Sequence, residues 1–318
     1  MDYFQIGITL LLGLVASTIF TGILIPILHR LRTGQNIRED GPRSHLAKSG
    51  TPTMGGIAII AATVLSCAAS GAFSKEMWVI AAAFVLFGAL GFLDDYLKVM
   101  KKHNLGLRAW QKLVFQIAIG VGLAIYQSNT SVFGTTVHIP FFDVYLDFGI
   151  WYIPFIAFVV VAMANSVNLT DGLDGLAAGV TSIVAFFFAL AGSMFSLESG
   201  SSFCGALTGA CLGFLIFNRN PARIFMGDTG SLALGGGLAA AAIIMNMELV
   251  LPIVGFVYVM EALSVIIQVV SFKTTGKRVF KMAPLHHHFE LSGLSEKQTV
   301  GMFWICTLIF CVIGLKIV

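Results

Sequence analysis

YFQIGITLLLGLVASTIFTGILIPIL, residues 3–28, decides the fold. No charged side chain interrupts it, and about 20 apolar residues carry a helix across the hydrocarbon core of a bilayer. No basic segment precedes it and no cleavage site is evident, so it reads as a retained span. Stretches of the same character recur along the chain, at Thr53–Ala72, Met77–Leu93, Lys112–Tyr126, Ile150–Ser166, Leu176–Met194, Phe203–Phe217, Ser231–Met247, Leu249–Phe272 and Val300–Ile317. The fourth span is short, and the ninth is long enough to tilt or break. Of the 318 residues 57% are hydrophobic and 11% charged, against roughly a quarter charged in soluble domains. These readings predict an all-α polytopic membrane protein of about ten transmembrane helices, with residues 1–318 forming a single integral membrane domain. Segment 127–149 is expected to form a short hairpin through Gly134 and Pro140. Five cysteines (Cys67, Cys204, Cys211, Cys306, Cys311) sit in apolar runs without metal-ligand spacing and read as small buried hydrophobes. The net charge of +3 is small, and no nucleic-acid partner is expected.

Where the charges sit says more. With ten spans, 17 of the 19 Lys and Arg fall on alternate connections, chiefly 29–52, 98–111, 218–230 and 273–297. The positive-inside bias places that side in the cytoplasm and both termini outside it.

The acids cluster on the same side, in GFLDDYLK, NLTDGLDGL and FMGDTGS. A carboxylate at the edge of hydrocarbon is costly unless a cation or donor compensates it. Capping explains one such acid easily and five together poorly. Asp94 and Lys98 are four apart on a helix and share a face, while Asp95 points elsewhere. Asn168, Asp171 and Asp174 recur every three residues and line one arc if helical. Gly172 and Gly175 keep neighbouring bulk low. Asp228 lies among small residues just before a span, where an ordinary N-cap is the bland alternative. His286, His287 and His288 follow Pro284 in the last basic loop; at most two of three successive residues converge on one ligand. No Cys or carboxylate pattern completes a zinc site there. Oxygen ligands suit Mg²⁺, which binds one or two carboxylates plus substrate phosphates, while Lys and His neutralise phosphoryl charge. Such parts suit phosphoryl transfer. Composition and spacing do not give the substrate.

Five motifs in order, GPRSHLAKSGTPTMGG (41–56), DDYLK (94–98), NLTDGLDGLA (168–177), NRNPARIFMGDTGS (218–231) and MAPLHHHFE (282–290), supply it by resemblance. The chain resembles the phospho-N-acetylmuramoyl-pentapeptide transferases of the polyprenyl-phosphate N-acetylhexosamine-1-phosphate transferase superfamily. The acid motifs are shared across the superfamily; PLHHHFE marks the muramoyl branch. The resemblance implies transfer of phospho-MurNAc-pentapeptide from UDP-MurNAc-pentapeptide to undecaprenyl phosphate in the bacterial plasma membrane, with Mg²⁺ as cofactor and a homodimer as the assembly. It makes Asp228 the metal ligand and Asp94 and Asp95 the essential acidic pair, with Asp94 acting as base or, in another scheme, as nucleophile. Asn168, Asp171 and Asp174 match the nucleotide side of the cleft. Asn218 and Phe225 match uridine contacts, Phe225 by stacking. Lys48, Thr53, Lys98 and Lys112 line the same cleft, placed in loops 29–52, 98–111, 167–175, 218–230 and 273–297. His286 and His287 hold the pyrophosphate or sugar, with His288 the weakest of the three. A sister enzyme using another UDP-N-acetylhexosamine would share the acids but not the histidine loop. A cation-coupled transporter would place its acids near the midplane, where only Glu261 lies.

Overall fold

The computed structural model describes residues 3–31, 48, 50–71, 74–101, 106–142 and 144–318. Much of loop 29–52, including GPRSHLA of the first motif, and residues 102–105 of loop 98–111 lie outside the described residues.

Twelve α-helices follow in order: α1 Tyr3–Arg30, α2 Gly56–Ala69, α3 Lys75–Lys101, α4 Ala109–Thr130, α5 Tyr152–Thr170, α6 Leu176–Met194, α7 Glu198–Asn218, α8 Gly227–Ile244, α9 Leu251–Val254, α10 Phe256–Thr275, α11 Leu285–Glu290 and α12 Glu296–Ile317. Among the described residues, nine helices are long and apolar enough to cross a membrane, and the chain is an all-α polytopic membrane protein. The predicted second span departs from this. It is the 14-residue α2, which rises only about 21 Å at 1.5 Å per residue, against roughly 30 Å of hydrocarbon. The residues before it are tied instead to the segment leading into α8: Phe225 N–H donates to Pro52 O (2.8 Å), Gly55 N–H to Phe225 O (2.9 Å) and Gly56 N–H to Met226 O (3.0 Å). The ninth predicted span breaks at Gly255, which separates α9 from α10. The expected hairpin pairs β1 (Thr136–Ile139) antiparallel with β2 (Val144–Asp147), turning after Pro140.

Helices α6, α7 and α8 are the most buried and form the centre of the bundle. Close approach between α1 and α7 rests on small residues: a Cβ at Gly209 would strike the Leu10 backbone, and one at Gly213 the Leu14 backbone. In lipid, where apolar burial gives little drive, such contact holds helices together. The described cysteines are free, four of them buried and Cys306 partly so.

The helices alternate so that α3, α5 and α7 end, and α4, α6, α8 and α12 begin, at one end of the bundle. That end carries the acids.

Candidate active site

α3 continues to Lys101, so Asp94 and Asp95 stand on a helix, as their spacing to Lys98 requires. Asp95 reaches the start of α8, whose N-cap residue Met226 makes no side-chain cap. Its Oδ1 accepts the Asp228 N–H (3.2 Å), and its Oδ2 accepts the Thr229 N–H (2.9 Å) and hydroxyl (2.7 Å). Thus α3 supplies the cap that α8 lacks, and the positive end of α8 compensates a buried carboxylate. Asp228 itself lies in the first turn of α8, not at its N-cap, which removes the bland reading of that residue.

Two lysines complete the cluster. Lys98 Nζ lies 2.6 Å from Asp94 Oδ2 and 3.0 Å from Asp228 Oδ2; Lys112 Nζ lies 3.0 Å and 2.7 Å from the same two oxygens. The i,i+4 pair expected from sequence is present, and Asp228 and Lys112 extend it into a network. Asp94 Oδ1 accepts the Leu107 N–H (2.7 Å), and Asp228 Oδ1 accepts from Asn168 Nδ2 (2.9 Å). Asp94, Asp95 and Asp228 each offer an oxygen within 4.8 Å of the others. Three converging carboxylate oxygens are the donors a hard divalent cation takes, so the residues fit Mg²⁺.

The arc predicted for Asn168, Asp171 and Asp174 is not formed, because α5 ends at Thr170 and Gly175, at φ +82°, starts the turn into α6. Asn168 faces Asp228 and Ser231. Asp174 turns away to Lys48 (2.7 Å), Asn220 Nδ2 (3.1 Å) and the Ala222 N–H (3.0 Å). Asp171 lies between the two groups. Burial, with Asp228, Asp95 and Asp174 nearby, pushes its carboxyl well above the usual range.

Glu296 belongs to the Asp174 group and escaped the sequence reading. It pairs with Lys48 (2.5 Å) and accepts from Asn220 Nδ2 (2.7 Å) and the Asp174 N–H (2.8 Å). An acid in the first turn of α12, beside the Ser295–Gln298 capping box, looks like ordinary helix-end chemistry. Both functions of Asn218 engage backbone, accepting from Gly175 N–H and donating to Ile224 O. Thr53 is buried, and Phe225 is half-buried beside the Pro52–Gly55 segment.

The histidines divide. His286 is buried against Glu261, and His287 packs on its ring with centroids 4.2 Å apart. His287 Nδ1 lies 3.2 Å from Glu290. His288 turns back into its own loop, where its Nδ1 accepts the Lys281 N–H. Of the three, His286 lies against the loop that carries Gly172, His287 pairs with Glu290 in its own helix, and His288 turns back on Lys281.

Residues 77–246 match the family model for glycosyl transferase family 4, and residues 48–60 match signature 1 of phospho-N-acetylmuramoyl-pentapeptide-transferase. A protein of Alkaliphilus metalliredigens (strain QYMF) with that name is 55% identical over 99% of this chain and 98% of its own. Same-named proteins of Clostridium botulinum (strain Alaska E43 / Type E3) and Thermoanaerobacter sp. (strain X514) are each 53% identical, over 96% and 90% of this chain and 94% and 90% of theirs. With the acid cluster, the histidine loop and near full-length similarity in agreement, the chain belongs to the phospho-N-acetylmuramoyl-pentapeptide-transferase family.

Proposed function

We propose that this protein transfers phospho-MurNAc-pentapeptide from UDP-MurNAc-pentapeptide to undecaprenyl phosphate, releasing UMP and forming lipid I. The observation that carries the reading is the convergence of Asp94, Asp95 and Asp228 with Lys98 and Lys112 at one end of the bundle. An oxygen of the lipid phosphate attacks the β-phosphorus, and the bond from that phosphorus to the oxygen bridging to UMP breaks. One phosphoanhydride replaces another, so the step is close to isoergic. Asp228 and Asp94 would hold Mg²⁺, which would supply electrostatic stabilisation of phosphoryl charge. Lys98 and Lys112 neutralise charge on the transferred and leaving phosphates, and Asp94 takes the proton of a lipid phosphate that arrives protonated. Asp95 holds the start of α8, and hence Asp228, in place.

Asn168 orients Asp228. Phe225 stacks on uracil beside Thr53, while Asp171 lines the nucleotide side. Lys48, Asp174 and Asn218 shape that side from behind, with Lys48 and Asp174 linked through Glu296. His286 and His287 meet the pyrophosphate or sugar. The site faces the cytoplasm, a reading supported by the basic residues of the alternate loops. The assembly is a homodimer, a reading supported by the family resemblance alone.

The test offers purified enzyme, Mg²⁺ and undecaprenyl phosphate either UDP-MurNAc-pentapeptide or UDP-GlcNAc. Lipid I and UMP are expected in equal amounts from the first and no product from the second. Turnover of UDP-GlcNAc alone would move the protein to a sister branch.

A further inference from the structure

Glu261 lies inside α10, 0% exposed. An ionisable side chain at that depth marks function when its partner is itself placed at a site. Here the partner is His286 on α11. Glu261 Oε1 accepts the His286 backbone N–H (3.2 Å), and Oε2 lies 3.1 Å from His286 Nδ1. Both carboxylate oxygens thus engage one residue, fixing its backbone and its ring together. The nearby Ser264 hydroxyl donates to the Glu261 carbonyl and leaves the carboxylate to the histidine.

The far side of the ring is unusual. His286 is 1% exposed, and its Nε2 has no hydrogen-bond partner among the described residues. It lies against the loop carrying Asp171, so close to Gly172 that a Cβ there would collide with Nε2. A pair that merely tied α10 to α11 would gain by satisfying this nitrogen too, since buried polar atoms without partners are costly. The ring is instead held firmly at one nitrogen, with the other directed at the acid-bearing loop.

We propose that Glu261 is a positioning residue for transfer: it holds the His286 ring by its Nδ1–H and orients Nε2, which donates an N–H when the ring is protonated, toward the phosphates entering beside Asp171. A carboxylate bound to one imidazole nitrogen sets both the tautomer and the direction of the other. The inference rests on the proposed function in requiring that His286 meet substrate.

The experiment is a double-mutant cycle of Glu261→Gln and His286→Ala in the full-length enzyme, read as kcat, KM for UDP-MurNAc-pentapeptide and thermal melting. Gln keeps the volume and loses the carboxylate. We expect Glu261→Gln to lower kcat by roughly 10–100-fold with KM and melting little changed. In the His286→Ala background the same change is expected to cost nothing more, because its target is gone. Losses that multiply, or wild-type kcat in Glu261→Gln, would overturn the proposal. Normal turnover by His286→Ala would overturn both this inference and the assignment of the histidine on which it rests. Should Glu261→Gln not fold, Glu261→Asp enters the same cycle; the same coupling is expected, and additive losses overturn the proposal.

Discussion

The two ends of α8 bury acids under opposite conditions. At its start, Asp228 is met by Asn168, Lys98 and Lys112, and Asp95 accepts three donors from Asp228 and Thr229. Beyond its other end, Asn246 and Glu248 are buried more deeply than the half-buried Asp228, yet neither the Asn246 amide nor the Glu248 carboxyl finds a hydrogen-bond partner in another described residue. Burial pushes Glu248 up to about 8, so at neutral pH it is mostly the neutral acid. The difference teaches where this protein keeps charge. A buried carboxylate stays ionised only where cations and N–H groups converge on it, and only such an end can work electrostatically on phosphates. The far end holds polar atoms without holding charge.

The largest effect is expected at the charged end. Asp228→Asn should lower turnover by about 10²–10³-fold, in the range of lost transition-state electrostatics, while the protein still inserts and melts cooperatively. Turnover and melting of the purified variant decide it; near-normal turnover would remove Asp228 from the chemistry. Next comes Asp94→Asn. A lipid phosphate, like other phosphate monoesters, has a second pKa of about 6, so a base is needed mainly below that pH. Relative activity of the variant should recover as pH rises from 6 to 9. A flat, dead profile would instead make Asp94 a nucleophile. Thr229→Val removes one of the three donors on Asp95 and should lower stability by about 1 kcal/mol, with a smaller loss of turnover.

The far end should respond in the opposite sense. With its folded pKa raised to about 8 from an ordinary 4.5, Glu248 contributes stability that is intact below pH 4.5 and lost as pH rises toward 8. Glu248→Gln escapes that loss. Its melting temperature should match the wild type near pH 4, exceed it increasingly up to about pH 8, and hold the gain above. Turnover at neutral pH should not change. A variant that melts lower at pH 8, or turns over slowly, would break the contrast between the two ends.

Much of this was legible in the sequence because bilayer physics writes long signals. Residues 3–28 and 176–194 are continuous apolar runs, and the observed helices follow them closely. The acid motifs were legible for the same reason, since a carboxylate beside hydrocarbon needs an explanation. Pairings between distant segments were not. Nothing near Glu296 announces that it shares Lys48 and Asn220 with Asp174. Nothing near Glu261 names His286 as its partner. The three-residue repeat of Asn168, Asp171 and Asp174 misled because periodicity speaks only while the helix lasts, and α5 stops at Thr170. The start of the second predicted span read as helix, whereas hydrogen bonds to residues 225 and 226 tie it to the segment before α8, and α2 begins only at Gly56. Nothing near Asp95 announces that its oxygens also take the N–H groups at the start of α8.

The central claim is that both substrates meet at the charged start of α8 and react directly. Enzyme stripped of undecaprenyl phosphate, then given Mg²⁺, UDP-MurNAc-pentapeptide and labelled UMP, tests it most closely. Direct attack predicts no label in the UDP-sugar until undecaprenyl phosphate is restored, and rapid exchange thereafter. Label entering the UDP-sugar without the lipid would contradict the account, because it requires a phosphosugar held covalently by the protein.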